Sequence, residues 1–425
     1  MKKSSDIFTR LAAALLIISM MLSASGCSGL PSGNAKTVKA GNLTEKIKAE
    51  KVEGKAAGAA FTSSQYDFAA KLLASSYEED GGNCLVSPLS VVLALAMTAN
   101  GAADRTLSQM LDVIGGGMTI EDLNACLYGY VRSLPPSNSK SKLAIANSIW
   151  VNDLPGFAAR EDFLRAAVSW YDAAVYQLPF NEQCVKEING WVSRNTDKMI
   201  EKIMESMDED ARMLLINAIC FDAKWEAPFT NEDERKFTAD DGSTQYVYMM
   251  LASENTYYEG EHYTGFAKKY GNGCRFVAIL PDGETTLGDL IAGLDGEKLA
   301  AILSGAVTTK VNVGLPKFSY EYAAKLKERL KAMGMTDAFD DLTADFSLMC
   351  ETEPLKIDDV IHKTFIEVAE AGTRAAAVSA VTMAPTAMAP VKEPKTVILE
   401  RPFLYMIVDN ETDLPIFIGT VGSVK

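Results

Sequence analysis

The chain has 425 residues, with 56 acidic against 41 basic side chains, a net charge of −15 at pH 7 and only 2 histidines. That balance argues against nucleic acid or anionic lipid as a partner. Two histidines, His262 and His362, leave few candidates for a Ser-His-Asp or Cys-His pair. There is no glycine-rich phosphate loop and no metal-ligand spacing, so neither catalysis nor a cofactor is expected.

Met1–Cys27 reads as a targeting segment. Lys2, Lys3 and Arg10 precede or flank the apolar run Leu11–Leu22, which is too short to span a membrane comfortably. Leu22-Ser23-Ala24-Ser25-Gly26-Cys27 is similar to a bacterial lipobox, with Ala24 where leucine is usual. Cys27 would then be the lipidated first residue, anchoring the exported chain to the cell envelope on its outer side. Each buried methylene of an acyl chain contributes about 0.8 kcal/mol. Ordinary signal-peptide cleavage is the alternative. Residues 28–60, rich in Gly, Ala, Lys and Ser, read as a flexible tether with a reach of about 30 Å. Residues 61–425 suit one domain.

Within that domain, Phe68, Leu72 and Leu73 give Gln65–Tyr77 a helical spacing. Ser87 is placed to cap a helix running from Pro88 to Ala99, since proline suits the first turn. Ile120–Leu134 is a further helix, and Leu143–Val151 alternates as a strand. Val185–Met204 is amphipathic, with Ile188, Val192, Met199, Ile200 and Ile203 on one side. Met213–Phe221 is almost continuously apolar, as a strand buried on both faces should be. Tyr246–Leu251, Phe276–Leu280 and Lys310–Leu315 read as strands, and Tyr320–Met333 as a helix ending at Gly334. Ile357–Val368 and Val397–Val408 are β-rich. Helices early and strands late imply a mixed α+β class. Cys84, Cys126, Cys184, Cys220, Cys274 and Cys350 form no metal or redox motif. Cys84 and Cys220 suit the core, and a disulfide between two of the others stays open.

Between the last two β-rich segments lies Glu370-Ala371-Gly372-Thr373-Arg374-Ala375-Ala376-Ala377-Val378-Ser379-Ala380. Such a run is ordinarily a flexible linker. Here glycine permits a sharp bend, small side chains fit a crowded sheet, and no proline interrupts Ala371–Ala384. The segment can be a loop in one state and a strand in another.

Five stretches occur in the order expected of one family. They are Asn83–Ser90, Ile188–Val192, Leu215–Trp225, Glu400–Phe403 and Ile416–Gly419. On these the chain, from about Phe61 to Lys425, resembles the serpins. The resemblance implies a large central β-sheet, two further sheets, about nine helices and an exposed reactive-centre loop at about 371–396. It assigns Glu370, Gly372, Thr373, Ala375, Ala376 and Ala377 to the hinge of that loop. Ser87, Ser90, Asn217 and His362 fall in the shutter beneath the central sheet, and Trp225 in the breach where the loop enters. The bland reading is that these are ordinary core polar contacts.

The family's count from Glu370 places the reactive bond at Thr386–Ala387, with Met383 and Met388 as alternative residues before the cut. Ala371 and Arg374 stand where acidic residues are frequent in the family, and the segment from Gly372 to Pro402 is a few residues longer than usual. Strand parity sends Thr373, Ala375, Ala377, Ser379, Val381 and Met383 inward and Arg374 outward. The run from Thr373 to Thr386 would extend about 46 Å as a new strand. Some ten added ladder bonds would contribute on the order of 10 kcal/mol, so the uninserted state must be kinetically trapped.

The implied activity is inhibition of serine proteases through an acyl-enzyme. Thr386 after Ala384 and Pro385 suits the shallow apolar pocket of elastase-like or subtilisin-like targets, and some cysteine proteases enter the range. The stretch matching the family's heparin-binding helix, Ile120–Leu134, has Arg132 as its one cation, so no heparin-like cofactor is expected. A monomer is implied. The rival readings are a non-inhibitory serpin, acting as decoy substrate or binding module, and a surface hydrolase.

Overall fold

The computed structural model describes residues 41–135, 141–373 and 393–424. In chain order the first strands are β1 (Gly41–Asn42), β2 (Leu85–Val86), β3 (Ser141–Asn152), β4 (Ala174–Leu178) and β5 (Met213–Lys224). Then come β6 (Asn231–Thr238), β7 (Thr244–Gly260), β8 (Tyr263–Lys269), β9 (Cys274–Pro281), β10 (Val307–Pro316) and β11 (Phe318–Lys325). The last are β12 (Asp359–Ala369), β13 (Gly372–Thr373), β14 (Lys395–Ile398), β15 (Phe403–Asp409) and β16 (Pro415–Val421). Nine α-helices occur among the described residues.

The apolar run 213–221 becomes β5, buried from Met213 to Phe221 and central to a sheet ordered β1-β4-β3-β5-β13-β12-β11. One face of this sheet rests on the helix Pro88–Ala99, every residue of which is buried. The other strands join a nine-stranded sheet rather than two separate ones. The cause is the length of β7, 17 residues. Along one edge it pairs with β6 through Thr244–Leu251 and with β8 through Thr256–Gly260, while β10 runs along the other.

Three further expectations change. Tyr320–Met333 is not one helix but β11 followed by the helix Lys327–Ala332. Phe318, Tyr322 and Ala324 are buried while Ser319, Glu321, Ala323 and Lys325 are exposed, a period of two satisfied by eight register pairs with β12. The helix starting at Glu182 ends at Asn195, short of Met204. Asp197 and Lys198 have φ of 48° and 61°, and the Thr196 hydroxyl accepts from Ile200 N. Ile200 and Ile203 nevertheless pack with Ile188, Trp191, Ile216 and Ile361 over the other face of the central sheet.

The segment 41–60 is not tether. Gly41 and Asn42 pair with β4, Glu50 N donates to Ser169 Oγ at 2.9 Å, and Lys55 N donates to Ala125 O at 2.9 Å. Leu43, Ile47 and Ala57 pack against the core. Lys55 O approaches Gly129 so closely that a Cβ there would stand 2.1 Å away. The six cysteines of the described residues are buried and no disulfide links them, which closes the question of a pairing among them.

Candidate functional site: hinge, breach and shutter

β5 and β12 pair in parallel over six positions, from Leu214 with Asp359 to Ile219 with Thr364. Above that ladder the two-residue strand β13 lies between them. Gly372 pairs with Lys224 and Ala369, and Thr373 with Ala223 and Val368. Thr373 is 1 % exposed, and its Oγ1 lies 2.5 Å from the Tyr270 hydroxyl. Gly372 and Thr373 thus form a short strand in which both residues are buried. A Cβ on Gly372 would meet Ala223 O at 2.2 Å, so only glycine fits this approach.

The breach is aromatic and charged. Trp225 is buried, and its Nε1 donates to Ala369 O at 2.9 Å while its N donates to Ala371 O at 3.0 Å. Phe229 N donates to Glu370 O at 2.9 Å. Three consecutive hinge carbonyls are therefore held by one short segment after β5. Trp225 stacks on Tyr270 with centroids 4.3 Å apart. Lys268, 2 % exposed, sits 4.3 Å over the Phe229 ring and pairs with Glu254 at 2.6 Å. Such a buried cation is tolerable only because a carboxylate and two rings face it. At the rim, Lys317 Nζ bridges Glu370 at 2.6 Å and Glu232 at 2.5 Å. The hydrogen bond from Lys317 holds the Glu370 carboxyl below its usual range. Burial lowers the Lys317 pKa, but its two carboxylates outweigh that and the net shift is upward.

The shutter is uncharged and buried. Ser87, Ser90, Asn217 and His362 are all fully buried. Ser87 caps the helix Pro88–Ala99, accepting from Ser90 N at 3.3 Å, and donates to Ile416 O at 2.7 Å. Ser87 N–H donates to His362 Nε2 at 3.1 Å, which leaves that nitrogen unprotonated. The proton therefore sits on Nδ1, donated to Asn217 Oδ1 at 2.6 Å. Asn217 Nδ2 in turn donates to Ser90 O at 2.7 Å and faces Asn147 Oδ1 at 2.5 Å. Burial, followed by the charge of Arg329, depresses the His362 pKa to about 3, so the ring stays neutral.

Asn147, Asn217 and His362 occupy matching register positions on β3, β5 and β12. This polar row crosses the line along which β5 and β12 would part. Sequence reasoning missed Asn147, Tyr270, Lys268 and Lys317. A polar residue in the strand Leu143–Val151 and a lysine inside β8 were the available signals. The hinge residues Ala375, Ala376 and Ala377, the bond Thr386–Ala387, the alternatives Met383 and Met388, and Cys27 lie outside the described residues.

Residues 63–424 match the family model Serpin (serine protease inhibitor). The chain belongs to the serpin family. It is 34% identical over 365 residues to an uncharacterised serpin-like protein of Thermococcus kodakarensis, covering 82% of this chain and 83% of that one. Among solved structures it resembles tengpin, a thermophilic serpin, in the native state. The TM-score is 0.86 at 44% identity, over 91% of this chain and 100% of that one. Against tengpin in the latent state the TM-score is 0.75 at 41% identity, over 89% and 100%. Serpins are inhibitors of proteases, not catalysts, and the family holds inhibitory and non-inhibitory members.

Proposed function

We propose that this serpin inhibits elastase-like or subtilisin-like serine proteases by covalent trapping. The protease serine Oγ attacks the Thr386 carbonyl carbon, the bond to Ala387 N breaks, and the new amine leaves with a proton. The acyl-enzyme is then carried along as Thr373 and the residues after it enter between β5 and β12. The observation that carries this reading is Thr373, buried against Tyr270 in a short strand, β13, that the small side chains after it in the sequence can extend. Lipidation at Cys27 and an outer-envelope location belong to the same reading. Labelling with a radioactive fatty acid, lost in Cys27→Ser, tests that part.

Incubation with an elastase and a subtilisin tests inhibition. A complex that survives boiling in detergent supports trapping, whereas clean cleavage assigns a decoy. Thr386→Arg should redirect the loop to trypsin-like proteases, because a matched charge fills a pocket that threonine cannot. Terminal sequencing of the released fragment checks the bond; a cut after Met383 or Met388 discards Thr386–Ala387.

A further inference from the structure

The two ends of the central sheet differ in which part of the chain leaves there. β13 lies at one end, beside Ala223, Lys224, Val368 and Ala369. At the other end β3 and β4 finish, with Asn152 beside Leu178, and β5 and β12 begin, with Leu214 beside Asp359. From Met213 to Ala223 the two ends stand about 33 Å apart at 3.3 Å per residue. Gly41 pairs with Gln177 and Asn42 with Tyr176 in antiparallel register. Traced backward from Gly41, the chain therefore runs towards Leu178 and leaves the sheet at the end far from the hinge.

That end is acidic. Asp153 and the run Asp208-Glu209-Asp210 are exposed there, tied to β3 by Asn152 Nδ2, which donates to Glu209 O and Ala211 O at 2.9 Å. Of the nearby cations, Arg160 pairs with Glu351, Lys356 pairs with Asp341 at 2.7 Å, and Arg212 donates to Pro354 O at 2.6 Å. An anionic lipid surface repels such an end rather than drawing it down. The length of chain between Cys27 and Gly41 then sets its height.

The same end is the destination of the reactive loop. Continued along β5, the register of β13 puts Met383 opposite Met213 and Thr386 three residues past the end of the sheet. The acylated protease would arrive where the thirteen residues 28–40 depart. Thirteen residues span at most about 45 Å fully extended and about 20 Å on average. A protease of about 230 residues has a radius of gyration of about 17 Å and is about 45 Å across. It fits between this end and a membrane only against a nearly extended chain or a tilted body.

We propose that this end is the membrane-facing pole of the anchored chain, so that the reactive loop faces away from the lipid and residues 28–40 are a spacer whose length limits trapping at the membrane. The anchor and the trapping rest on the function proposed above; the orientation is tested without either. A hexahistidine tag in place of residues 1–27 holds the chain on phosphatidylcholine vesicles that carry a nickel-chelating lipid. The cysteines of the described residues are buried, so a dye can be placed on Asp210→Cys or, beside the breach, on Glu226→Cys. Energy transfer to a headgroup dye should put the Glu226 position about 30 Å further from the lipid than the Asp210 position. With an elastase, the inhibitor consumed per trapped protease should rise about threefold on vesicles over the same chain in solution, because a hindered insertion loses more acyl-enzyme to water. A Gly-Ser stretch that doubles the spacer should abolish that rise. Equal or inverted heights overturn the orientation, and equal stoichiometry on vesicles and in solution overturns the spacer. Absence of any complex in solution sinks the inhibitory reading alone, and the two heights still judge the pole.

Discussion

The breach and the shutter close the same pair of strands by different chemistry. At the breach, β13 already separates β5 from β12, and the contacts are stacked rings, a lysine over aromatics and a half-exposed ion-pair bridge. These contacts grip backbone carbonyls of residues 369–371 and ask little of the side chains that follow. At the shutter, three strands and a helix cap share one buried neutral network in which each donor has a specific acceptor. Parting the strands there strands several polar groups at once, each costing about 1–3 kcal/mol. If the loop inserts as proposed, the breach would receive it and the shutter would delay it.

Cleavage of the loop should produce the largest change. A nick in an ordinary loop leaves stability unchanged or slightly lowered. Here insertion past Thr373 should raise stability by on the order of 10 kcal/mol, visible as a much higher melting midpoint. An unchanged midpoint in the nicked protein would remove the distinction between a receiving breach and a delaying shutter.

Thr373→Arg should come next. Its position is buried against Tyr270, so a guanidinium there is desolvated without a carboxylate, at a cost of several kcal/mol. The variant should be cleaved as a substrate, and gel-based stoichiometry reads the switch. Persistent stable complex at wild-type stoichiometry would show the inward register to be wrong.

The shutter should also announce itself in pH. The pKa of His362 is near 3 when folded and about 6.5 when unfolded, so the unfolded chain binds the extra proton. Its contribution is full above about pH 6.5 and is lost as pH falls toward 3. Between pH 7 and 4.5 the loss should be about 2–3 kcal/mol. Denaturant midpoints of wild type and His362→Gln compared at both pH values check this, since the variant should lack that part of the slope. Equal slopes would show that His362 is not held neutral.

Lys317→Ala should have the smallest effect. Both its partners are partly exposed, so the loss should be about 0.5–1 kcal/mol and shrink in salt. Melting at low and high salt resolves it. A loss as large as that from a shutter substitution would erase the contrast between the two regions.

The order of elements, the cap at Ser87 and the central strand were legible because each is written in neighbouring residues. Periodicity, turn chemistry and side-chain size act over a few positions, and serpin motifs in order supplied the topology. Tyr320–Met333 failed because tyrosines and alanines suit either period, and only the ladder to β12 chose the strand. The tether failed at residues 41–60 because its docking depends on β4 and on the bare backbone of Gly129, over seventy positions away from Lys55. Tertiary structure alone made Asn147 the third residue of the polar row with Asn217 and His362, and Lys317 the bridge between hinge and β6. A polar side chain at a strand position signals only that it is polar; which partner it meets is decided by register, and register is set by the whole sheet.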